Sequence, residues 1–409
     1  MKNFILKKIQ NHASLFVIVL GAILFFLTNI ILKQNLSSAE YGSYSIFVTF
    51  FFMCFIYGPL GFEQVLLRHS FSVSKNIISL QKSQIYIVAC LLVFSSVCFF
   101  KLITISYKGV FGNDFLLLLS VFCMSSLTIL YSIFRLNEDY IIAQVVLNGY
   151  KIILFVIVCI MTIYSNTDLV ALKDYLLYVP IIVFFAAAFM FTQKIKLTFN
   201  QSVSTKKLLS SHLYFFISLS SFTLINFCDR FLIEKKLGEI QVGDYFFLSN
   251  VFLAPFAIMQ NYIGFKKLAA YKNKFNIKIY QTNNKQIGFI VIFISLCLLV
   301  VAFFSDAVGI LNFKFLINLK LILLLLLMAI TRMFSLTVGV AFDLLINVVY
   351  LRNANMFFLG FTIMLLSLLL YIPCNIEIIV ATLWIIWLSR LVVMHCLLMI
   401  HLKSTPNVK

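Results

Sequence analysis

The chain has 409 residues, 62% of them hydrophobic and only 11% charged, with a mean hydropathy of +1.05. No fold in water can hide that much apolar surface, so a soluble enzyme or binding domain is excluded and a polytopic helical membrane protein remains. The formal net charge of +18 reads as topogenic lysine beside anionic lipid, and no nucleic-acid partner is expected.

Reading in windows of about 19 residues predicts about twelve spans. In the first half they run over Ala13–Leu32, Tyr44–Leu67, Ile85–Ile105, Phe115–Phe134, Tyr140–Tyr164 and Tyr175–Phe191. The first is long enough to cross and is followed by others, which makes it a signal anchor rather than a cleavable signal. In the second, Gly58, Pro59 and Gly61 stand beside Glu63, and proline deletes a backbone donor, so this helix is expected to bend next to an acid. That suits a gate built from Glu63 and Arg68; pairing of Glu63 with Arg68 or a lysine at the membrane edge is the structural alternative. Lys151 falls near the middle of the fifth span.

Segment 194–207 is polar, basic and free of helical apolar period, and is expected to be a cytoplasmic linker between a lobe at 1–193 and a lobe at 208–409. The later spans run over Leu208–Ile233, Tyr245–Phe265, Ile287–Phe304, Leu316–Phe342, Met356–Ile372 and Ile378–Leu402. In the seventh, Thr223, Asn226 and Arg230 share one helical face, which reads either as a stripe lining a sugar or phosphate path or as helix-to-helix hydrogen bonding. Asp229 beside Arg230 is expected to act in gating, or as an interfacial ion pair. Pro255 with Asn250, Gln260 and Asn261 gives the eighth span similar bending. The stretch Lys266–Lys285 is expected to be the longest loop, and the outer loops are too short for an extramembrane catalytic domain.

Arg332 and Arg390 join Lys151 as cations deep in apolar runs. From Arg332 to Asp343 is about 16 Å along a helix, too far for easy snorkelling. Charges at such depth cost several kcal/mol unless used, paired or solvated, so Lys151, Arg332 and Arg390 are candidate ligands for an anion. For Arg390 a structural pairing in the last helix would serve equally.

Alternate loops divide by charge. One set carries Arg68, Lys75 and Lys82, then Lys194–Lys207, then Lys266–Lys285; the other carries most of the acids, including Glu40, Asp168, Glu239 and Asp306. Cytoplasmic loops collect Lys and Arg, so both termini are expected in the cytoplasm. The segments from Asn35 and from Lys236 match at Leu36 with Leu237, Gly42 with Gly243, Tyr44 with Tyr245 and Phe51 with Phe252, each copy being placed in the first outer loop of its half. Six spans separate the copies, which implies a parallel repeat about an axis along the membrane normal and a substrate site near the midplane. The expected fold is therefore all-α: about 12 transmembrane helices in two parallel-repeat six-helix lobes around a central cationic cavity.

The segment 226–245 (NFCDRFLIEKKLGEIQVGDY), with GluTyrGlySerTyr at Glu40–Tyr44 and GlyPheGluGlnValLeuLeuArg at Gly61–Arg68, resembles the seventh-helix and opening-helix patterns of polysaccharide flippases of the Wzx type. The resemblance implies the multidrug, oligosaccharidyl-lipid and polysaccharide exporter superfamily. It further implies a bacterial inner membrane, a lipid-linked oligosaccharide as substrate, and a polysaccharide polymerase and chain-length regulator as partners. Relatives often have fourteen spans; this chain has room for about twelve.

On this reading the phosphate charge of an undecaprenyl-diphosphate-linked oligosaccharide meets Arg332, Lys151, Arg230, Asn226 and Arg390, with Asp229, Glu63 and Arg68 in gating or coupling. No cofactor is expected, since phosphate-loop, nucleophile-elbow and zinc signatures are missing from the sequence. No metal is expected either: His12, His69 and His212 stand apart from acids and cysteines, and the nine cysteines are scattered. Two other classes compete. A membrane glycosyltransferase such as an O-antigen polymerase or ligase would need a long outer loop. A drug exporter of the same superfamily would favour deep carboxylates, whereas the deep charges here are positive.

Overall fold

The computed structural model describes residues 2–74, 76–107, 113–164, 168–200, 204–273, 277–309, 313–346 and 348–404, with backbone alone for 2–12, 169, 261–273, 343–344, 348–349 and 403–404. Among the described residues, twelve helical segments are long and apolar enough to cross a membrane, and each expected span overlaps one of them. The chain is a multi-pass membrane protein, nearly all helical.

In chain order the helices are α1 (Lys2–Asn35), α2 (Ser38–Tyr57), α3 (Phe62–His69), α4 (Lys82–Ser106), α5 (Asp114–Leu136), α6 (Tyr140–Ile163) and α7 (Leu169–Lys194). They continue as α8 (Thr205–Leu237), α9 (Glu239–Asn273), α10 (Ile277–Val308), α11 (Phe315–Leu345), α12 (Val348–Tyr371) and α13 (Ile376–Ser404). Packing divides the chain into one compact unit at Met1–Thr223 and another at Leu224–Lys409, so the division falls within α8, beyond the basic segment 194–207. The amino-terminal part of α8 belongs to the first unit because its side chains pack on α2 and α3: His212 lies against Phe62, and Tyr57 against Phe216.

Within the first unit α5 is the hub, packing on α2, α3, α4, α6 and α7. Its buried Ser120, Ser125, Ser126, Thr128 and Ser132 allow this, because small polar residues let helix backbones approach closely where no water drives association. In the second unit α11 is the corresponding hub, packing on α9, α10 and α13.

The all-α architecture of twelve spans is as expected, with one small addition and two corrections. First, three short strands accompany the helices: β1 (Phe71–Ser74), β2 (Ile77–Leu80) and β3 (Lys196–Phe199) form a small sheet in that order. β2 pairs with β1 antiparallel and with β3 parallel, from Ile77 opposite Lys196 to Leu80 opposite Phe199. The parallel pair needs a long crossover, and four spans supply it. Part of the presumed linker is thus a strand, and 205–207 already belong to α8. Second, the basic stretch 266–285 is not a long loop, since α9 runs to Asn273 and α10 begins at Ile277; side chains 261–276, including Asn261, lie outside the described residues. Third, the repeated motifs are not loops. Only Leu36 and Ser37 separate α1 from α2, and only Gly238, at φ +90, separates α8 from α9. Gly42, Tyr44, Gly243 and Tyr245 therefore lie in the opening turns of α2 and α9, and all four are buried.

Asn76, in a left-handed conformation (φ 69) that Asn tolerates, donates its backbone N–H to Asn137 Oδ1 at 2.9 Å, and Asn137 Nδ2 returns to Asn76 Oδ1 at 3.0 Å. The connections after α3, α5 and α7 are thereby gathered on one side of the membrane, as the alternation of spans requires.

The expected bend in the second span is a complete break. After Tyr57 the chain turns through Gly58–Gly61, with Leu60 and Gly61 both at positive φ (52 and 84), before α3 begins. Pro59 has no N–H to offer the Phe55 carbonyl one turn earlier, and the Thr128 hydroxyl of α5 donates to that carbonyl instead. Replacing Thr128 with Val should lower stability by about 1–3 kcal/mol, the cost of an unsatisfied buried acceptor. Adding Pro59→Ala, which restores a donor, should recover part of that loss. Thermal melting of the purified variants in detergent measures both, and strictly additive losses would show that Thr128 does not substitute for the missing N–H.

Candidate substrate-binding site

In the first unit, Lys151 stands near the middle of the span Tyr140–Ile163. Its ammonium donates to Asn148 Oδ1 at 3.2 Å and lies 5.9 Å from the centre of the Phe52 ring. Asn148, one turn back, is almost fully buried, and its amide donates to the Gln144 carbonyl at 3.0 Å. Space for Asn148 comes from Gly21 of α1: a Cβ there would stand 2.7 Å from the Asn148 side chain. The α1–α6 contact is therefore built around the residue that steadies Lys151. Gly21→Ala should displace Asn148 and release the ammonium, cutting activity several-fold while the protein still accumulates. Activity beside immunoblot abundance checks this, and a fully active Gly21→Ala variant would show that the close approach has no bearing on Lys151.

The second unit brings together most of the expected residues. Arg332, deep in the span Phe315–Phe342, donates from Nη2 to Asn226 Oδ1 of α8 at 2.6 Å. Its guanidinium lies 5.2 Å from the centre of the Trp387 ring, and the Arg390 guanidinium lies 5.8 Å from the same indole. Trp384 donates to Thr331 Oγ1 at 3.0 Å, so α11 and α13 share a polar and aromatic seam. Such guanidinium–indole contacts are worth about 2 kcal/mol when desolvated, and they fix the guanidinium planes.

Asp229 is buried on α8. One carboxylate oxygen accepts from the Tyr245 hydroxyl at 2.5 Å, and the other from the Arg230 backbone N–H at 2.9 Å. Its side-chain partner is thus Tyr245 and not the Arg230 guanidinium, which stacks 5.2 Å from the Phe246 ring. The charges of Asp229 and Arg230 lie close enough to Arg332 to act on it. No carboxylate among the described residues forms an ion pair with Arg332 within the usual contact distance. Thr223 is buried with its hydroxyl unpartnered among the described residues.

The same device recurs in the first unit. Asn29 of α1 is buried and accepts from the Tyr41 hydroxyl at 3.1 Å, as Asp229 of α8 accepts from Tyr245. In each unit a tyrosine in the opening turns of the second span ties back to an amide or acid of the first.

Glu63 and Arg68 do not meet. Glu63 is 6% exposed, with Oε2 unpartnered among the described residues, whereas Arg68 on the same short helix is exposed. His69 Nε2 lies 3.3 Å from Ser211 Oγ and His212 packs on Phe62, while the side chain of His12 lies outside the described residues.

Sequence reasoning missed Trp387, Tyr245 as a partner for Asp229, and Asn148. Two of these had a signal: Trp384, Trp387 and Arg390 recur every third residue, and Asn148 stands three before Lys151, so each set shares one helical face.

No protein-family model and no curated protein matches the chain. Solved structures do. A MATE transporter in complex with MaD3S superposes with a TM-score of 0.63 at 13% identity, over 97% of this chain and 96% of that one. An inward-facing multidrug resistance MATE family transporter of the MOP superfamily gives 0.62 at 14%, over 94% and 95%. A MOP superfamily transporter from Pyrococcus furiosus, described as having a binding pocket of reverse polarity that suggests a different function, gives 0.57 at 14%, over 97% and 96%. The fold is that of the MATE transporters of the MOP superfamily.

Proposed function

We propose that this protein flips an undecaprenyl-diphosphate-linked oligosaccharide from the cytoplasmic to the outer leaflet of a bacterial inner membrane by alternating access. Arg332, Asn226, Arg230, Arg390 and Lys151 are the proposed contacts for the anionic head; Asp229, Glu63 and Arg68 serve gating or coupling. The observation that carries the reading is Arg332: a guanidinium deep in a membrane span, held by a neutral amide and an indole, with no carboxylate among the described residues in ion-pair contact. Charge at that depth is costly, and an anionic ligand offsets it.

Alternating access is supported by relatives of the same fold described in inward-facing and outward-facing conformations. Their being transporters favours transport over the membrane glycosyltransferase reading. A drug exporter has the same fold, but cationic drugs suit the opposite sign of field. The experiment is a deletion strain complemented with wild type or Arg332→Ala. Carrier-linked glycan should accumulate on the inner leaflet and surface polysaccharide should fall, with drug susceptibility unchanged. Raised sensitivity to cationic drugs with normal polysaccharide would support the exporter instead.

Polymerase and chain-length regulator remain the partners this reading implies, with both termini cytoplasmic. Reporter fusions after Lys207 or Lys278 should lack phosphatase activity and those after Asp168 or Glu239 should show it; the reverse pattern would invert the orientation.

A further inference from the structure

The small sheet stands apart from the transport residues. β1 is exposed along its whole length, with Phe71 at 48% and Val73 at 58%, and Phe199 on β3 is 52% exposed. Single residues join the strands to three span ends: Ser70 between α3 and β1, Gln81 between β2 and α4, and Ile195 between α7 and β3. Tethers that short hold the sheet at headgroup level, since the interfacial layer is about 5–7 Å thick on each side. The register puts Phe71, Ser79 and Thr198 in one row, so Phe71 shares a face with Lys196, two residues before Thr198. Arg68, Lys82 and Lys194 stand two or three residues from its strands, Lys196 lies on β3, and Lys206 and Lys207 open α8, all exposed.

We propose that this sheet is an interfacial anchor that inserts Phe71 and Val73 among the headgroup-proximal segments of the acyl chains on its own side and binds the phosphate groups of anionic bulk lipid through the neighbouring cations. Exposed aromatic and aliphatic side chains with lysines nearby match an anionic interface in both polarity and charge. Each Lys or Arg near such a surface strengthens binding about fivefold. A helix and loop could have closed these span ends; the sheet instead sets exposed Phe71 and Lys196 on one face and exposed Phe199 on the other. The inference does not depend on the transported substrate.

Phe71→Trp, in full-length protein reconstituted into phosphatidylcholine vesicles containing phosphatidylglycerol, tests it; the emission added over wild type isolates the new indole from Trp384 and Trp387. Blue-shifted added emission, quenched by lipid brominated near the headgroup and not by aqueous iodide, is expected. Brominated phosphatidylglycerol should quench several-fold more than brominated phosphatidylcholine at equal mole fraction. Lys194→Gln, Lys196→Gln, Lys206→Gln and Lys207→Gln together should abolish that preference without removing the quenching. Emission quenched by iodide would place the sheet in water, and emission untouched by either quencher would place it against protein. Either result, or equal quenching by the two lipids, overturns the proposal.

Discussion

Arg332→Ala is expected to reduce delivery of carrier-linked glycan to the outer leaflet by about a hundredfold, since losing one partner of a buried charge pair costs about 2–5 kcal/mol. The variant should still accumulate, because the guanidinium leaves behind a neutral amide and an indole, and neither becomes a stranded charge. Arg332→Lys keeps the charge but loses the planar fork that reaches Asn226 while lying on Trp387, so it should retain about a tenth of the activity. Arg332→Glu should be inactive. The measurement is outer-leaflet glycan per unit of membrane protein; a fully active Arg332→Ala would make this arginine architectural.

Tyr245→Phe is expected to give the largest loss of stability among single-atom deletions. It removes the hydroxyl from a carboxylate in a dry setting, at a cost of about 1–3 kcal/mol or more. Asp229→Asn keeps an oxygen acceptor for Tyr245, so it should melt near wild type. It also removes a negative charge near Arg332, leaving the neighbourhood more positive. The anionic head should then bind more tightly and leave more slowly, lowering turnover while fold is preserved. Thermal melting and transport rate separate the two effects. Equal melting losses for Tyr245→Phe and Asp229→Asn would mean that packing, not the hydrogen bond, matters there.

The spans were legible because each is an apolar run of about twenty residues, a signal that needs no knowledge of neighbours. The unequal cations Lys151, Arg332 and Arg390 were legible for the same reason, standing out against lipid-like surroundings. What they touch was not. Asn226 could be named from its helical face, but its pairing with Arg332 joins residues far apart in the chain, and Trp387 was one aromatic in a chain where 16% of residues are aromatic. The sheet was missed because four-residue strands fall below any periodicity window, and β2 finds β3 only after four intervening spans. The motif at Lys236–Tyr245 was read as a loop because Gly and polar residues dominate it; in the structure one glycine makes the whole turn and the rest is helix.

The very short joints after α1 and α8 bear on how the protein is made. A span bearing Asp229 and Arg230 is a poor candidate for entering a bilayer by itself, since each charge costs about 2.5–3.5 kcal/mol at mid-depth on the insertion scale. With a single residue between α8 and α9, the two spans can leave the translocon only as a hairpin, and Tyr245 comes with Asp229. Asn29 and Tyr41 give the opening hairpin the same arrangement. The buried polar residues Asp229 and Asn29 are thus delivered to the lipid already partnered, each by a tyrosine of its own hairpin.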